Sequence, residues 1–276
     1  MKIAVVTDSA SDIPEEQAQA LNIRVIPCII VIGDRDFEDG KGLSREDFYE
    51  SFPDMDPPPT TAAPSIGMFE ETYQDALDSG YDGVISIHPP DTLSGIINAA
   101  SAAALRFNGN VQVYDSRLAS MGLGYQVLEA ANIVREETDF GALTAALNKF
   151  RSQVRVYAML DTLSYLRRSG RVSWVQAGIG SLLSIRTFIE LSDGEVIRLD
   201  QIRTRKKGIA HLSEMIEALP PLDQLAILHS GAEEDAARLA HSISDSVGIN
   251  PLSINITTII GTHVGPKGLG CAAVLK

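Results

Sequence analysis

The stretch MKIAVVTDSASDIPEEQAQAL (residues 1–21) decides the class of fold. Four apolar residues, Ile3 to Val6, lead to Asp8 and Ser9, which reads as a strand ending in polar groups. That run is too short for the core of a signal peptide. The next residues have the chemistry of a helix start. Asp12 is placed to cap, Pro14 falls in the first turn, and Glu15 and Glu16 sit where the helix dipole is positive. A strand running directly into a helix is the repeating unit of an α/β protein.

Moving outward, the unit recurs. IRVIPCIIVIG (23–33) reads as a second strand system interrupted at Pro27, and GLSREDFYESF (42–52) as a helix capped by Ser44. Five prolines within PDMDPPPTTAAP (53–64) forbid regular structure there. Ser65 then opens a helix. DGVISIH (82–88) and NVQVYDS (110–116) are two further strands, each feeding a helix. Small hydroxyl residues therefore collect at strand ends: Ser9 and Ser11, Ser94, and Ser116 with Ser120. In open parallel sheets ligands bind at these carboxyl ends.

A second unit opens with VRVYAML and holds a hairpin turning at Asp193-Gly194. Two more helix–strand pairs come after it. The last strand, LSINITTII (252–260), delivers the glycine-rich loop GTHVGPKGLG (261–270) with His263 inside it. The reading is two α/β domains, an N-terminal parallel-sheet domain at 1–160 and a C-terminal domain at 161–276.

Composition narrows the partners. The chain is 45% hydrophobic and 21% charged, with a net charge of −13. Such a balance disfavours nucleic acid and anionic membrane as main partners, since both need a basic face. The longest apolar run, VIPCIIVIG, is too short to span a bilayer. Cys28 and Cys271 match no metal or redox spacing and read as buried thiols in a reduced, cytoplasmic protein. A monomer is the expected state.

The familiar catalytic motifs are missing. GTHVGPKGLG has the wrong spacing for a Walker A loop, with glycine after Lys267. GLGYQV (122–127) and GIGSLL (178–183) lack the third glycine of a dinucleotide fingerprint, and GPKGLG reverses its spacing. DTLSGI lacks the first glycine of a nucleophile elbow. No histidine or cysteine cluster suggests a metal, so no metal and no cofactor are expected.

Several residues then carry two readings each. Thr61 is a loop residue or a ligand contact. Ser94 caps a helix or, with the amides of Gly95 and Ile96, holds a carboxylate or phosphate. His263 is structural or a head-group contact, its glycines allowing close approach of a ligand. Seven of the 23 basic residues fall in two stretches, Arg167–Arg171 and Arg203–Lys207, as a solvated face or a docking face. His88, His211, His229 and His241 have no evident partner.

Together, seven stretches resemble one family. They are VTDSASDIP (6–14), TTAAPS (60–65), LSG (93–95), VYDSRLASMGLG (113–124), DTLSYLRRSGRVS (161–173), IRTRKKG (202–208) and IGTHVGPKGLG (260–270). In this order, over nearly the whole chain, they are similar to the DegV proteins, the FakB-type fatty-acid-binding proteins of bacteria. The resemblance implies a two-domain DegV-like fold with a long-chain fatty acid in a tunnel near the domain interface. It implies a binding subunit without its own catalysis, which presents the carboxylate to an ATP-dependent fatty acid kinase. The acyl-phosphate so formed would feed phospholipid synthesis.

Carried onto this sequence, the resemblance gives Thr61, Ser94 and His263 as carboxylate contacts. Arg203 and Arg171 belong to the phosphotransfer or partner face. The chain departs from the family's TSQPS with Ala62 and Ala63, has HPPDT before LSG, and has Lys267 in its GPKG. The first two changes remove polar groups, and Lys267 would compensate if it pointed inward. Two other functions remain in view: an acyl hydrolase or transferase with His263 as base to Ser94, and a lipid sensor or carrier with another partner.

Overall fold

A computed structural model describes residues 1–176 and 185–276; the GIGSLL segment lies outside the described residues. The first half runs β1 (Ile3–Asp8), α1 (Glu15–Ala20), β2 (Arg24–Ile26), β3 (Ile29–Ile32), β4 (Arg35–Glu38), α2 (Arg45–Ser51) and β5 (Thr60–Ala62). It continues through α3 (Ile66–Asp78), β6 (Gly83–His88), α4 (Ile96–Ala104), β7 (Val111–Asp115), α5 (Met121–Ile133) and α6 (Phe140–Arg151). The second half begins with β8 (Val154–Leu160), α7 (Ser164–Ser169), α8 (Ser173–Gln176), β9 (Arg186–Ser192), β10 (Glu195–Ile202) and α9 (Arg205–Glu217). It ends with β11 (Leu222–His229), α10 (Glu233–Val247), β12 (Leu252–Asn255), α11 (Thr258–Val264) and β13 (Leu269–Leu275).

Three sheets organise these elements. The first has the order β2-β1-β6-β7 and is parallel throughout. Every residue of β1 and of β6 is buried, as expected of central parallel strands covered on both faces. The second is mixed, with the order β10-β9-β8-β13-β11-β12. The third is the small antiparallel sheet β4-β3-β5. The sheets change over between β7 and β8, ahead of the 160/161 division expected from the sequence. The reason is pairing: β8 is hydrogen-bonded to both β13 and β9.

Local expectations mostly match. Ser44 and Ser65 accept the amides of Asp47 and Met68 and so cap α2 and α3. Asp193 and Gly194, both at positive φ, turn the β9–β10 hairpin. Pro27 separates β2 from β3. Both cysteines are buried free thiols.

Three local readings are corrected. Asp12 does not cap α1; it is buried at φ 56, and α1 starts at Glu15 with Pro14 at its N-cap position. The proline-rich segment does contain regular structure, because Thr60–Ala62 escape the prolines and pair with β3. The β-branched TTII run is not strand but the start of α11, so His263 lies on a helix rather than in a loop. Tertiary contacts there override local propensity. LGCAAVL, beyond the elements read from the sequence, is β13 in the interior of the six-stranded sheet.

One buried feature was not legible at all. His88 is fully buried in a chain of polar groups: its Nδ1 is 2.7 Å from Asp8 Oδ2, and its Nε2 is 2.6 Å from Ser86 Oγ. Tyr73 donates its hydroxyl to the same Ser86 oxygen at 2.8 Å. One proton order satisfies every member. Tyr73 donates to Ser86, Ser86 to His88 Nε2, and His88 Nδ1–H to Asp8 Oδ2. The connectivity is that of a hydrolytic triad, yet Ser86 is wholly buried and does not line the apolar cavity described below. It ties β1, β6 and α3 together.

Candidate functional site

A cavity lies where the two larger sheets approach each other. Its walls are apolar, with Ile96, Val156, Leu160, Ile189, Leu191 and Ile259 among them. Thr61, Ser94, Arg171 and His263 line the same cavity. They come from four separate parts of the chain, so only the fold assembles them.

Each is positioned by its element. Thr61 is the middle residue of β5 and pairs with Ile30 of β3. Ser94 precedes α4, and its Oγ takes the Ile96 amide at 3.4 Å, a loose cap. Arg171 follows α7, whose terminal Gly170 takes the left-handed conformation. His263 occupies the last turn of α11.

Three of these side chains touch. Thr61 Oγ1 stands 2.9 Å from His263 Nε2. Arg171 Nη1 approaches both ring nitrogens, at 2.9 Å from Nδ1 and 2.8 Å from Nε2. Only one nitrogen of a neutral imidazole carries a lone pair. The arrangement that serves all three groups has Arg171 donating to Nδ1 and Nε2–H donating to Thr61. The hydroxyl proton of Thr61 is then free to donate into the cavity.

Electrostatics favour that neutral ring. Burial, with the neighbouring Arg171 charge, lowers the His263 pKa to about 3. Burial also lowers the pKa of Arg171. The site thus presents hydroxyl donors beside one partly desolvated cation, an environment suited to a single carboxylate.

Ser94 and His263 share no hydrogen bond among the described residues. The serine–base pairing of an acyl hydrolase is therefore not formed, and among the described residues no carboxylate orients His263 through a hydrogen bond. Arg203 is exposed just ahead of α9 and lies off the cavity; its carbonyl accepts from Arg186. Lys267 does not compensate for the lost polar groups either: it is exposed and lines no part of the cavity. Among the described residues no cluster is arranged to hold a metal ion. No helix among them is long and apolar enough to cross a membrane.

Sequence reasoning missed Cys28, Ser120, His229 and Ser230, which also line the cavity. Ser120 carried a signal, since it was one of the strand-end hydroxyls. The others become visible only when the two sheets are brought together.

Known proteins share this architecture. The family model described as "Uncharacterised protein, DegV family" matches residues 2–276. Protein DegV of Bacillus subtilis is 32% identical over 284 residues, covering 100% of both chains. A DegV domain-containing protein of Streptomyces coelicolor is 33% identical over 273 residues, covering 97% of this chain and 96% of its own. Among solved structures, a fatty-acid-binding DegV family protein of Thermus thermophilus superposes with a TM-score of 0.91 at 29% identity, with 100% of each chain covered. The structure of Bacillus subtilis DegV, a fatty acid binding protein, gives 0.88 at 32% identity over 100% of each chain. With its fold, and with a family model and relatives that match from end to end, the chain belongs to the DegV family.

Proposed function

We propose that this protein binds a long-chain fatty acid and presents its carboxylate to a separate ATP-dependent fatty acid kinase. The observation that carries the reading is an apolar cavity with a Thr61–His263–Arg171 cluster on its wall. The fatty acids bound by the Thermus and Bacillus relatives support it.

The energetics agree. Each buried methylene contributes roughly 0.8 kcal/mol, so about fourteen of them in a C16 chain contribute on the order of 11 kcal/mol before ordering costs. Affinity then resides in the tail, and the head group needs only satisfied hydrogen bonds. Thr61 and Ser94 are the donors, with His263 orienting Thr61 and Arg171 supplying charge. Hydroxyl donors leave the carboxylate nucleophilic, whereas a bidentate arginine clamp would hold back its attack on phosphorus. The exposed Arg203 and the neighbouring basic residues form the kinase face. On this reading the protein works in the cytoplasm as a monomer, without catalysis of its own, and supplies acyl-phosphate to phospholipid synthesis.

The test is mass spectrometry of lipid that co-purifies, followed by reconstitution with a DegV-partnered kinase, ATP and the lipid found. Long-chain carboxylate at near-stoichiometric ratio and protein-dependent acyl-phosphate are expected. Absence of any bound or bindable fatty acid would overturn the proposal. Binding without phosphorylation by any kinase would confine it to lipid carriage.

A further inference from the structure

The helix that carries His263 lacks a cap of its own. Thr257, at its N-cap position, makes no side-chain cap hydrogen bond, and its buried Oγ1 has no partner among the described residues. Such an end leaves orphan amides that something else must satisfy. Here the partners come from the opposite half of the molecule. Asp12 Oδ1 accepts the Thr257 amide at 2.6 Å, across 245 residues of chain. Asp39 Oδ1 accepts the Thr258 hydroxyl at 2.7 Å. The Tyr49 hydroxyl sits 3.0 Å from the Ile256 carbonyl and 3.2 Å from that of Thr257.

Asp12 is committed to this contact. It is 2% exposed, held at φ 56, and its second oxygen accepts from Ser120 Oγ at 2.5 Å. A left-handed aspartate buried between two donors costs free energy, so its geometry is set by the surroundings and not by local preference. Burial raises the Asp12 pKa to about 6, opposed in part by the Arg45 guanidinium, which also binds the Asn255 carbonyl just before the helix. The far end of α11 is fixed as well, since Ser230 Oγ donates to the Gly265 carbonyl at 2.7 Å. His263 lies five residues beyond Thr258, about 7.5 Å along the helix, so its place depends on how both ends are held. A shift of about 1 Å at the amino end would carry the imidazole out of hydrogen-bond reach of Thr61.

We propose that Asp12 is a positioning residue for the head-group site: by accepting the Thr257 amide it caps α11 from across the molecule and sets His263 against Thr61. As a statement about carboxylate recognition this rests on the proposed function. As a statement about His263 geometry it does not.

The experiment uses ligand-free protein with labelled histidines, and follows the His263 ring resonances against pH. Asp12→Gly removes the carboxylate without penalty at positive φ, and Asp12→Asn keeps an acceptor for the Thr257 amide. In Asp12→Gly the His263 pKa should rise from about 3 toward the ordinary 6.5, and Asp12→Asn should restore the wild-type profile. In parallel, preference for palmitate over hexadecanol should fall at least about ten-fold in Asp12→Gly, with hexadecanol affinity unchanged. A variant of lower Tm whose His263 titration matches wild type would overturn the proposal and leave Asp12 a stabilising residue only. If Asp12→Gly does not fold, Thr257→Pro decides by the same titration. It deletes the amide hydrogen, at a φ of −59 that proline adopts. Failure of wild type to bind palmitate at all would remove the proposed function and leave the ring titration as the arbiter here.

Discussion

Thr61 and His263 lie 202 residues apart in sequence and 2.9 Å apart in space, joined Oγ1 to Nε2. The contact bridges the small β4-β3-β5 sheet and α11, so it reports on how the two halves of the molecule are seated. It also fixes which proton Thr61 can offer a ligand.

His263 should remain neutral through the physiological range. Its folded pKa of about 3 lies below the ordinary 6.5, so its contribution to stability is fully present above 6.5 and is lost as pH falls toward 3. Ring resonances of the free protein should stay flat from about pH 8 to about pH 5. Addition of a fatty acid should raise the titration point, because a nearby carboxylate favours the imidazolium. Titration near 6.5 in free protein would show that the ring is solvated.

Thr61→Val and Ser94→Ala remove the two hydroxyl donors with little change in volume. Each should lower kinase-dependent acyl-phosphate formation about ten- to hundred-fold, the scale of one hydrogen bond to a charged group. Fatty acid should still bind, since the tail dominates affinity. Calorimetry with palmitate and a coupled ADP assay separate these effects; full turnover in both variants would exclude the hydroxyls from the mechanism.

His88→Ala should lower unfolding free energy by about 1.5–3 kcal/mol, since it removes the buried hydrogen bond to Asp8 Oδ2. Tyr73→Phe removes only the terminal donor and should cost about 1 kcal/mol. Urea unfolding measures both. An unchanged midpoint in His88→Ala would mean that the polar chain does not bear on stability.

Lys267→Gly should stabilise the protein by about 1 kcal/mol, because Lys267 sits at φ 60, where only glycine is unstrained. Fatty acid affinity should not change, as Lys267 lies outside the cavity lining. A loss of affinity greater than about three-fold, or about 0.7 kcal/mol, would return this side chain to the site.

The α/β class was readable because β1 and β6 are continuous apolar runs that stop at polar residues, with capped helices near by. The cavity residues could be named from motifs at Thr61, Ser94 and His263, since each stands in a short, distinctive stretch. What the sequence concealed depends on long-range pairing. Asp12 looked like a cap for α1 because its neighbours have helix-start chemistry; it caps α11 instead, from 245 residues away. TTII has the composition of a strand, and only tertiary contacts make it helical. His88 had no visible partner because Asp8 reaches it only through the pairing of β1 with β6, while Ser86 is its neighbour two residues back on the same strand.

The place of β13 bears on how the molecule is built over time. Last in chain order among the strands of its sheet, it enters between β8 and β11 and pairs with both. Until it arrives, β8-β9-β10 and β11-β12 are separate fragments, each with an open, hydrogen-bonding edge. Closing them needs a contact between residues as distant as Val154 and Val274, which makes this step slow and exposed to misassembly. Loss of residues 269–275 would leave two sticky ribbons rather than a smaller version of the same sheet. Chaperone dependence and aggregation during expression should therefore track this one segment.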